Sequence, residues 1–352
     1  MSSREYSADE LREVLSGMGV KDVVSAARYG SGHINDTFKV DCASGTSYIL
    51  QRINTDIFDP DAVMSNIRRV TEHIRAKGGG TLEVVAYTRP WRLYAFISGA
   101  HTVDVITEAG QAFKAASAFA DFQNALADLP APRLIDIIPN FHNTVSRIAQ
   151  LDAARAADVK GRAASCAAEL DFVDARRAEA SRIVDLMASG DIPERITHND
   201  TKINNVMLDD VTGLGTHVID LDTTMPGCAL YDFGDMVRTS TAAAAEDERD
   251  LTKVFSRREY FEQLVRGYLS EAKFLNQAEL DNLAFSGRLI TLTIGIRFLT
   301  DYLAGDVYFH TACPDHNLVR CRTQFKMVES MEAQREDFEA IVKAERVRLG
   351  DA

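Results

Sequence analysis

The 352-residue chain has little of what marks secreted, membrane or polyanion-binding proteins. Its five cysteines (Cys42, Cys166, Cys228, Cys313 and Cys321) fall in no CxxC and in no zinc-type spacing. An odd, scattered set predicts reduced thiols in a cytosolic protein and argues against a disulfide framework. Long apolar runs are also missing. The longest, Leu289–Ile296, is cut by two Thr and a Gly and stops at Arg297, and the opening Met-Ser-Ser-Arg-Glu-Tyr-Ser has no apolar core. The expectation is neither a signal peptide nor a membrane span. Basic residues are outnumbered, 39 Lys plus Arg against 52 Asp plus Glu for a net charge of −13. That balance speaks against a general nucleic-acid binder, which needs a basic footprint. A single phosphate group stays within reach of a few local cations and backbone N–H groups. No internal repeat, low-complexity tract or Ser/Gly linker is present.

What is present is a globular composition, 46% apolar and 26% charged, on a chain long enough for one large or two medium domains. Ser7-Ala8-Asp9-Glu10 is a capping box and predicts a helix to about Met18. Runs rich in β-branched and aromatic residues predict strands at 36–40, 48–53, 82–87 and 92–97. Between the second and third of these, Val63, Ile67, Val70 and Ile74 recur on one helical face, with Asp59 as cap, Pro60 in the first turn and Gly78-Gly79-Gly80 as the stop. Helical periodicity then dominates over 104–127, 151–189, 242–274, 277–304 and 319–349. One non-helical island, Arg195 to Gly227, interrupts it with a strand-like His217–Leu221. A small sheet region followed by a larger helical one favours a ligand cleft between them.

Three segments carry chemistry. In Ile196-Thr197-His198-Asn199-Asp200-Thr201-Lys202-Ile203-Asn204-Asn205, an Asp precedes an Asn by five positions. Protein kinases place such a pair for a physical reason: a carboxylate takes the attacking hydroxyl's proton and, a short turn away, a carbonyl oxygen ligates the Mg²⁺ on the nucleotide. Alone, the segment also reads as a polar surface loop. In Val218-Ile219-Asp220-Leu221-Asp222, an apolar strand delivers a hard oxygen ligand to a rigid position. Asn205 and Asp220 are the expected metal ligands, with Asp222 a possible second carboxylate. The third segment, Tyr29 to Phe38, holds the Gly-rich turn Gly30-Ser31-Gly32-His33, suited to close backbone approach over phosphates. Arg52 on the following strand offers a cation for the α- and β-phosphates, or is simply a solvated strand residue.

The order Gly loop, cationic strand, helix, HxDxxxxN, IDxD resembles the aminoglycoside phosphotransferase and choline kinase superfamily. GSGHINDTF (30–38), YILQRIN (48–54), IPNFHNT (138–144), HNDTKINN (198–205), IDLDTTMPG (219–227), RFLTDYLAGDVYF (297–309) and HNLVRCRTQFK (316–326) look more closely like the N-acetylhexosamine 1-kinases. The resemblance implies an α+β, protein-kinase-like two-lobed fold, with a nucleotide-binding lobe at 1–98 and a helical lobe at 99–352. It implies ATP as co-substrate, Mg²⁺ as cofactor and Asp200 as catalytic base. Gly30, Ser31, Gly32, His33 and Arg52 are implied at the phosphates, and the hinge residues Tyr94 and Phe96 at adenine. Arg keeps the charge of the protein-kinase Lys and adds a bidentate fork. Glu72, with Asn66 as fallback, is its expected partner on the 60–77 helix. Asn199 stands where the superfamily often has Gly, at a position that need not touch the reacting groups. The letters DFG at 232–234 fall with the superfamily's helix that braces the catalytic loop, so Asp220 and not Asp232 is the expected ligand.

For the acceptor, the one Trp, Trp91, lies in the small lobe, badly placed for an aromatic cage around choline. Asp200, Arg297, Asp301 and Tyr308 offer donors and acceptors for sugar hydroxyls and an acetamido group. Without the resemblance, Arg297 and Asp301, four apart, read as a helix-surface ion pair. Three readings follow: an N-acetylhexosamine 1-kinase, a same-fold kinase for another small alcohol (an aminoglycoside, choline, homoserine or another sugar), and a non-catalytic nucleotide-binding relative. The joint presence of Asp200, Asn205 and Asp220 argues against the third. Neither nucleic acid nor membrane is expected as a partner.

Overall fold

The computed structural model describes residues 5–30, 32 and 34–350. Its N-terminal region is built on helix α1 (Ala8–Gly17), strands β1 (Val23–Arg28), β2 (Asp36–Cys42) and β3 (Ser47–Arg52), helix α2 (Pro60–Ala76), and strands β4 (Val84–Thr88) and β5 (Trp91–Ala95). The five strands form one antiparallel sheet in the order β1-β2-β3-β5-β4. The Ser7–Glu10 capping box forms as expected, and the Asp59 carboxylate caps α2 by accepting the N–H of Asp61 at 3.2 Å. Strand β1 has no counterpart among the predicted strands. It is a two-thirds exposed edge rich in Ser and Ala, and so lacks the apolar alternation that announces a half-buried strand.

The two faces of this sheet have different covers. Phe38, Val40, Leu50 and Leu93 pack with Leu11 and Leu15 of α1 in a separate small core. Ile53 and Tyr94 face the other way and join Val63, Ile67, Val70 and Ile74 of α2 in the main core. Because side chains alternate along a strand, this division assigns a face to every residue of β2, β3 and β5.

The C-terminal region opens with β6 (Ala100–Thr102), α3 (Ala109–Leu126), α4 (Thr144–Ala157), α5 (Ala167–Asp174), α6 (Arg177–Ala180) and α7 (Arg182–Ser189). The island follows as β7 (Arg195–Thr197), β8 (Val206–Asp209), β9 (Gly215–Val218) and β10 (Met225–Gly227), pairing in two small antiparallel sheets, β10-β7 and β6-β8-β9. Helices α8 (Ala229–Ser240), α9 (Arg258–Glu271), α10 (Gln277–Asp281), α11 (Leu283–Ala304), α12 (His316–Ala333) and α13 (Arg335–Leu349) complete it. The helical spans predicted at 151–189 and 242–274 are shorter or broken, with residues 242–257 mostly irregular. Gly234 lets α8 press onto α11: a Cβ there would come within 2.6 Å of the Ser286 carbonyl oxygen. Helix α11 is long and apolar enough to cross a membrane by length and composition, but 72% of its apolar window is buried inside the protein. It is the central core helix. Cys42, Cys166, Cys228 and Cys321 are buried free thiols, and Cys313 is half-buried and also free.

Candidate active site

The loop after β7 carries Asp200. His198 and Asn199 direct their backbone N–H groups into the buried carboxylate of Asp232 at 2.9 and 2.7 Å, and Thr201 N–H meets Asp235 at 2.9 Å. Helix α8 thus braces the loop with the two carboxylates of YDFGD, and Asp232 faces this loop instead of a ligand. Burial raises the Asp232 carboxyl to about 6 against the pull of the loop N–H groups. Asn199 sits at φ 66°, a left-handed conformation open to Gly and tolerated by Asn. Its side chain turns inward, donating to Thr197 and Thr223 carbonyl oxygens at 3.3 and 2.9 Å. The Asn-for-Gly exchange therefore keeps the turn and adds two bonds.

The Asp200 carboxylate pairs with Lys202 Nζ at 2.8 Å and accepts from Asn205 Nδ2 at 3.2 Å. Burial pushes its pKa up, but the nearby Lys202, helped by Arg238, outweighs burial and holds it below the usual range. Asn205 is tied to the second segment through its backbone, whose carbonyl oxygen accepts Ile219 N–H at 2.9 Å. Asp220 follows directly at φ 57°. The β8–β9 pairing, Val206 opposite Val218, thus brings Asn205, Asp220 and Asp200 into one cluster.

The chemistry of this donor set fits a divalent cation. Asp220 has no hydrogen-bond or ion-pair partner among the described residues. It is open to water on one side, yet the surrounding protein and the charges of Asp222 and Asp200 push its carboxyl well above the usual range. A cation would relieve that repulsion. With Asn205 Nδ2 spent on Asp200, its Oδ1 is left as an acceptor. No three His, Cys, Asp or Glu side chains among the described residues form a metal cage by themselves, so an ion here relies also on phosphate and water oxygens.

Several expected residues lie elsewhere. Arg52 pairs across the sheet with Asp36 and Trp91, on the α1-covered face, so alternation turns it away from the carboxylates. This face gives no support to its assignment to the phosphates. A strand cation that does face those carboxylates is Arg92 on β5, opposite Gln51 and paired with Asp222. Neither helix candidate serves Arg52. Glu72 is exposed with no partner among the described residues, and Asn66 is buried, bonding Ile135 and Thr224 backbone groups. Asp222, expected as a second metal ligand, instead grips Arg92 and Asn35. Tyr94 is buried against the Arg92 guanidinium at 5.3 Å. Phe96 is half-buried, edge-on to Tyr29 at 6.1 Å and under Lys39 Nζ at 4.9 Å. Gly30 turns at φ 79° at the start of the Gly-rich turn; Gly32 is described, whereas Ser31 and His33 lie outside the described residues.

On α11, Arg297 lies over the rings of Phe141, Phe309 and Tyr308 at 4.7, 5.4 and 5.7 Å, and no carboxylate among the described residues pairs with it. Removal from solvent lowers its pKa, with Arg238 adding to the effect. Asp301 is no partner for it, nor a free acceptor for a ligand. Its oxygens take the N–H groups of Val307, Tyr308 and Phe309 at 2.8–3.0 Å and Asn317 Nδ2 at 2.8 Å. It therefore holds the loop that presents Tyr308. Lys202, Arg92 and Asn35 were not anticipated. Lys202 was legible as a cation two residues after Asp200, and Arg92 as a residue sharing the Tyr94 face.

Comparison with solved structures supports the architecture. The chain resembles Plasmodium vivax ethanolamine kinase (TM-score 0.63, 13% identity, 92% of this chain and 91% of that one). It also resembles choline kinase LicA from Streptococcus pneumoniae (0.59, 13%, 92% and 98%). A third likeness is to an ADP-bound aminoglycoside phosphotransferase of the APH(2'') type (0.55, 13%, 93% and 99%). At such identities the likeness is one of fold, the two-lobed kinase fold. The sequence profile of the phosphotransferase enzyme family (APH) matches residues 25–272, and this chain belongs to that family.

Proposed function

We propose that the chain is an ATP- and Mg²⁺-dependent kinase that phosphorylates the anomeric hydroxyl of an N-acetylhexosamine, with its nucleotide lobe ending near residue 98. The observation that carries this reading is Arg297, set among Phe141, Tyr308 and Phe309 with no carboxylate partner among the described residues. A guanidinium on aromatic rings suits hydroxyl and acetamido oxygens, with the sugar's C–H face against a ring. It repels the cationic acceptors that the names of the similar kinases specify. Arg147 adds to the effect: burial and the neighbouring Arg297 lower it to about 10. Arg297 and Asp200 both feel the Arg238 charge, which is in keeping with an acceptor held between the aromatic rings and Asp200.

In this reading Asp200 hydrogen-bonds the C1 hydroxyl, aims its lone pair at the γ-phosphorus and accepts the proton as the new O–P bond forms. The anomeric hydroxyl is more acidic than an ordinary alcohol, so a base kept ionised by Lys202 suffices. Asn205 Oδ1 and Asp220 would hold Mg²⁺, which supplies charge neutralisation on the phosphates. Backbone N–H groups of the Gly-rich turn add to that neutralisation. The reduced thiols suit a cytoplasmic setting.

The test is a panel of acceptors scored by ADP release, with the product's phosphate located by NMR. N-acetylglucosamine or N-acetylgalactosamine should lead the panel, with the phosphate on C1. Choline, ethanolamine or an aminoglycoside in the lead, or a 6-phosphate, would refute the reading. Asp200→Asn should lower kcat about 10²–10⁴-fold with ADP affinity little changed.

A further inference from the structure

We propose that Asp222 is the pin of a clasp that closes the small lobe onto the metal-binding segment, a positioning residue and not a ligand of the ion. The proposal rests on the phosphotransferase reading of Asp200 and Asp220 but not on the identity of the acceptor.

Asp222 is 3% exposed and Arg92 only 1%. One carboxylate oxygen is held by Arg92; the other accepts Asn35 Nδ2 at 2.6 Å. Both partners belong to the small lobe. Arg92 is steadied by Gln51, whose Oε1 accepts its Nε at 3.0 Å. Asn35 closes the Gly-rich turn, and its Oδ1 accepts Asn54 N–H at 3.0 Å. Two residues on, the Thr224 carbonyl oxygen accepts Asn66 Nδ2 of α2 at 3.0 Å. The small lobe therefore grips the chain just beyond Asp220 at two points.

A metal ligand has to offer an oxygen to the ion. Both oxygens of Asp222 are engaged and sealed from water, and taking one would strand Arg92 as a buried unpaired guanidinium, a costly state. Asp220 has the opposite character, unpaired and open to the cleft. The two carboxylates thus divide the work: Asp220 binds, and Asp222 fixes where Asn35 and Arg92 of the small lobe stand relative to it. The clasp favours the closed arrangement, so that nucleotide binding draws less on a minor closed population.

Three variants of the full chain test this with MgADP, without any acceptor: Asn35→Ala, Asn35→Asp and Asp222→Asn. The readouts are ADP Kd at saturating Mg²⁺, the Mg²⁺ midpoint for ADP binding, and the radius of gyration by X-ray scattering. Asn35→Ala should weaken ADP about tenfold, the lower worth of a hydrogen bond to a charged group. Asn35→Asp, which opposes two carboxylates, should weaken it further and enlarge the radius. In both, the Mg²⁺ midpoint should stay in place. Asn35→Ala should add little once Asp222→Asn is present. Unchanged ADP affinity and radius in the Asn35 variants would overturn the proposal even if Asp222→Asn does not fold. So would a tenfold shift in the Mg²⁺ midpoint by Asp222→Asn, which would mark a metal ligand. Failure of the sugar assignment leaves all these readouts intact.

Discussion

The imidazole Nε2–H of His198 donates to the carbonyl oxygen of Ile219 at 2.9 Å, joining the loop of Asp200 to the strand that ends in Asp220. The same ring accepts Asp200 N–H at Nδ1, 3.2 Å away, which fixes its tautomer. One buried side chain thus sets the spacing between Asp200 and Asp220, and Phe119 and Phe122 hold it edge-on at 5.3 and 6.0 Å. His198→Phe keeps the ring and strands both backbone groups. It should cost about 2–4 kcal/mol of stability, the sum for two unpaired buried groups at the lower end, and depress kcat more than KM. Urea denaturation and steady-state kinetics check this. A variant as stable and active as the parent would show that the strut is dispensable.

Much of this site was legible because its signals are local. HNDTKINN and VIDLD each place a carboxylate by a short turn, and α8 begins two residues after Gly227. What escaped is set by pairing across the sheet. Arg52 and Arg92 look alike in sequence; only the register, Arg52 opposite Trp91 and Gln51 opposite Arg92, says which faces the cleft. Asp301 escaped for a related reason. Its spacing from Arg297 suits a helix-surface pair, but the helix ends at Ala304 and the returning loop offers three N–H groups that satisfy it more fully. Strand β1, an exposed edge, had no apolar alternation to read.

Arg52→Gln tests the face assignment. On the α1 side of the sheet, the exchange should move KM for ATP by no more than about twofold, the scale of an ordinary surface change. A rise of an order of magnitude would return Arg52 to the phosphates.

Asn199 invites a paired comparison. Asn199→Gly removes the side-chain bonds but relaxes the left-handed backbone, whereas Asn199→Ala removes the bonds and keeps φ at 66°. The Gly variant should be the more stable by about 1 kcal/mol and the more active. Equal melting temperatures would mean that the backbone strain is not felt.

Asp301→Ala should unfasten the segment Val307–Phe309 while leaving the small lobe untouched. KM for the acceptor should rise about tenfold or more, since the three charge-assisted bonds to this segment are lost, with KM for ATP constant. Parallel rises in both constants would point to general loosening and not to Tyr308.

The last prediction concerns acid. His142 is 3% exposed, and its Nε2–H donates to the Asn199 carbonyl oxygen at 3.0 Å, so Nδ1 carries a lone pair and has no partner among the described residues. Protonation would bury an N–H without an acceptor. Burial, opposed by Asp235 and assisted by Arg297 and Arg238, lowers the imidazole from 6.5 to about 4. Between those values the unfolded chain binds a proton that the folded chain refuses. This contribution to stability is therefore intact above pH 6.5 and is lost as pH falls toward 4. Asp232, raised to about 6, works in the opposite sense, because its folded form binds a proton that the unfolded chain has released. The wild-type profile mixes the two effects, so the informative quantity is the stability difference from His142→Gln, which keeps a donor for Asn199 and cannot titrate. From pH 7.5 to 4.5 the wild type should lose roughly 2–3 kcal/mol relative to that variant, read from urea unfolding at each pH. A constant gap would mean that His142 titrates alike in both states and that its burial carries no electrostatic cost.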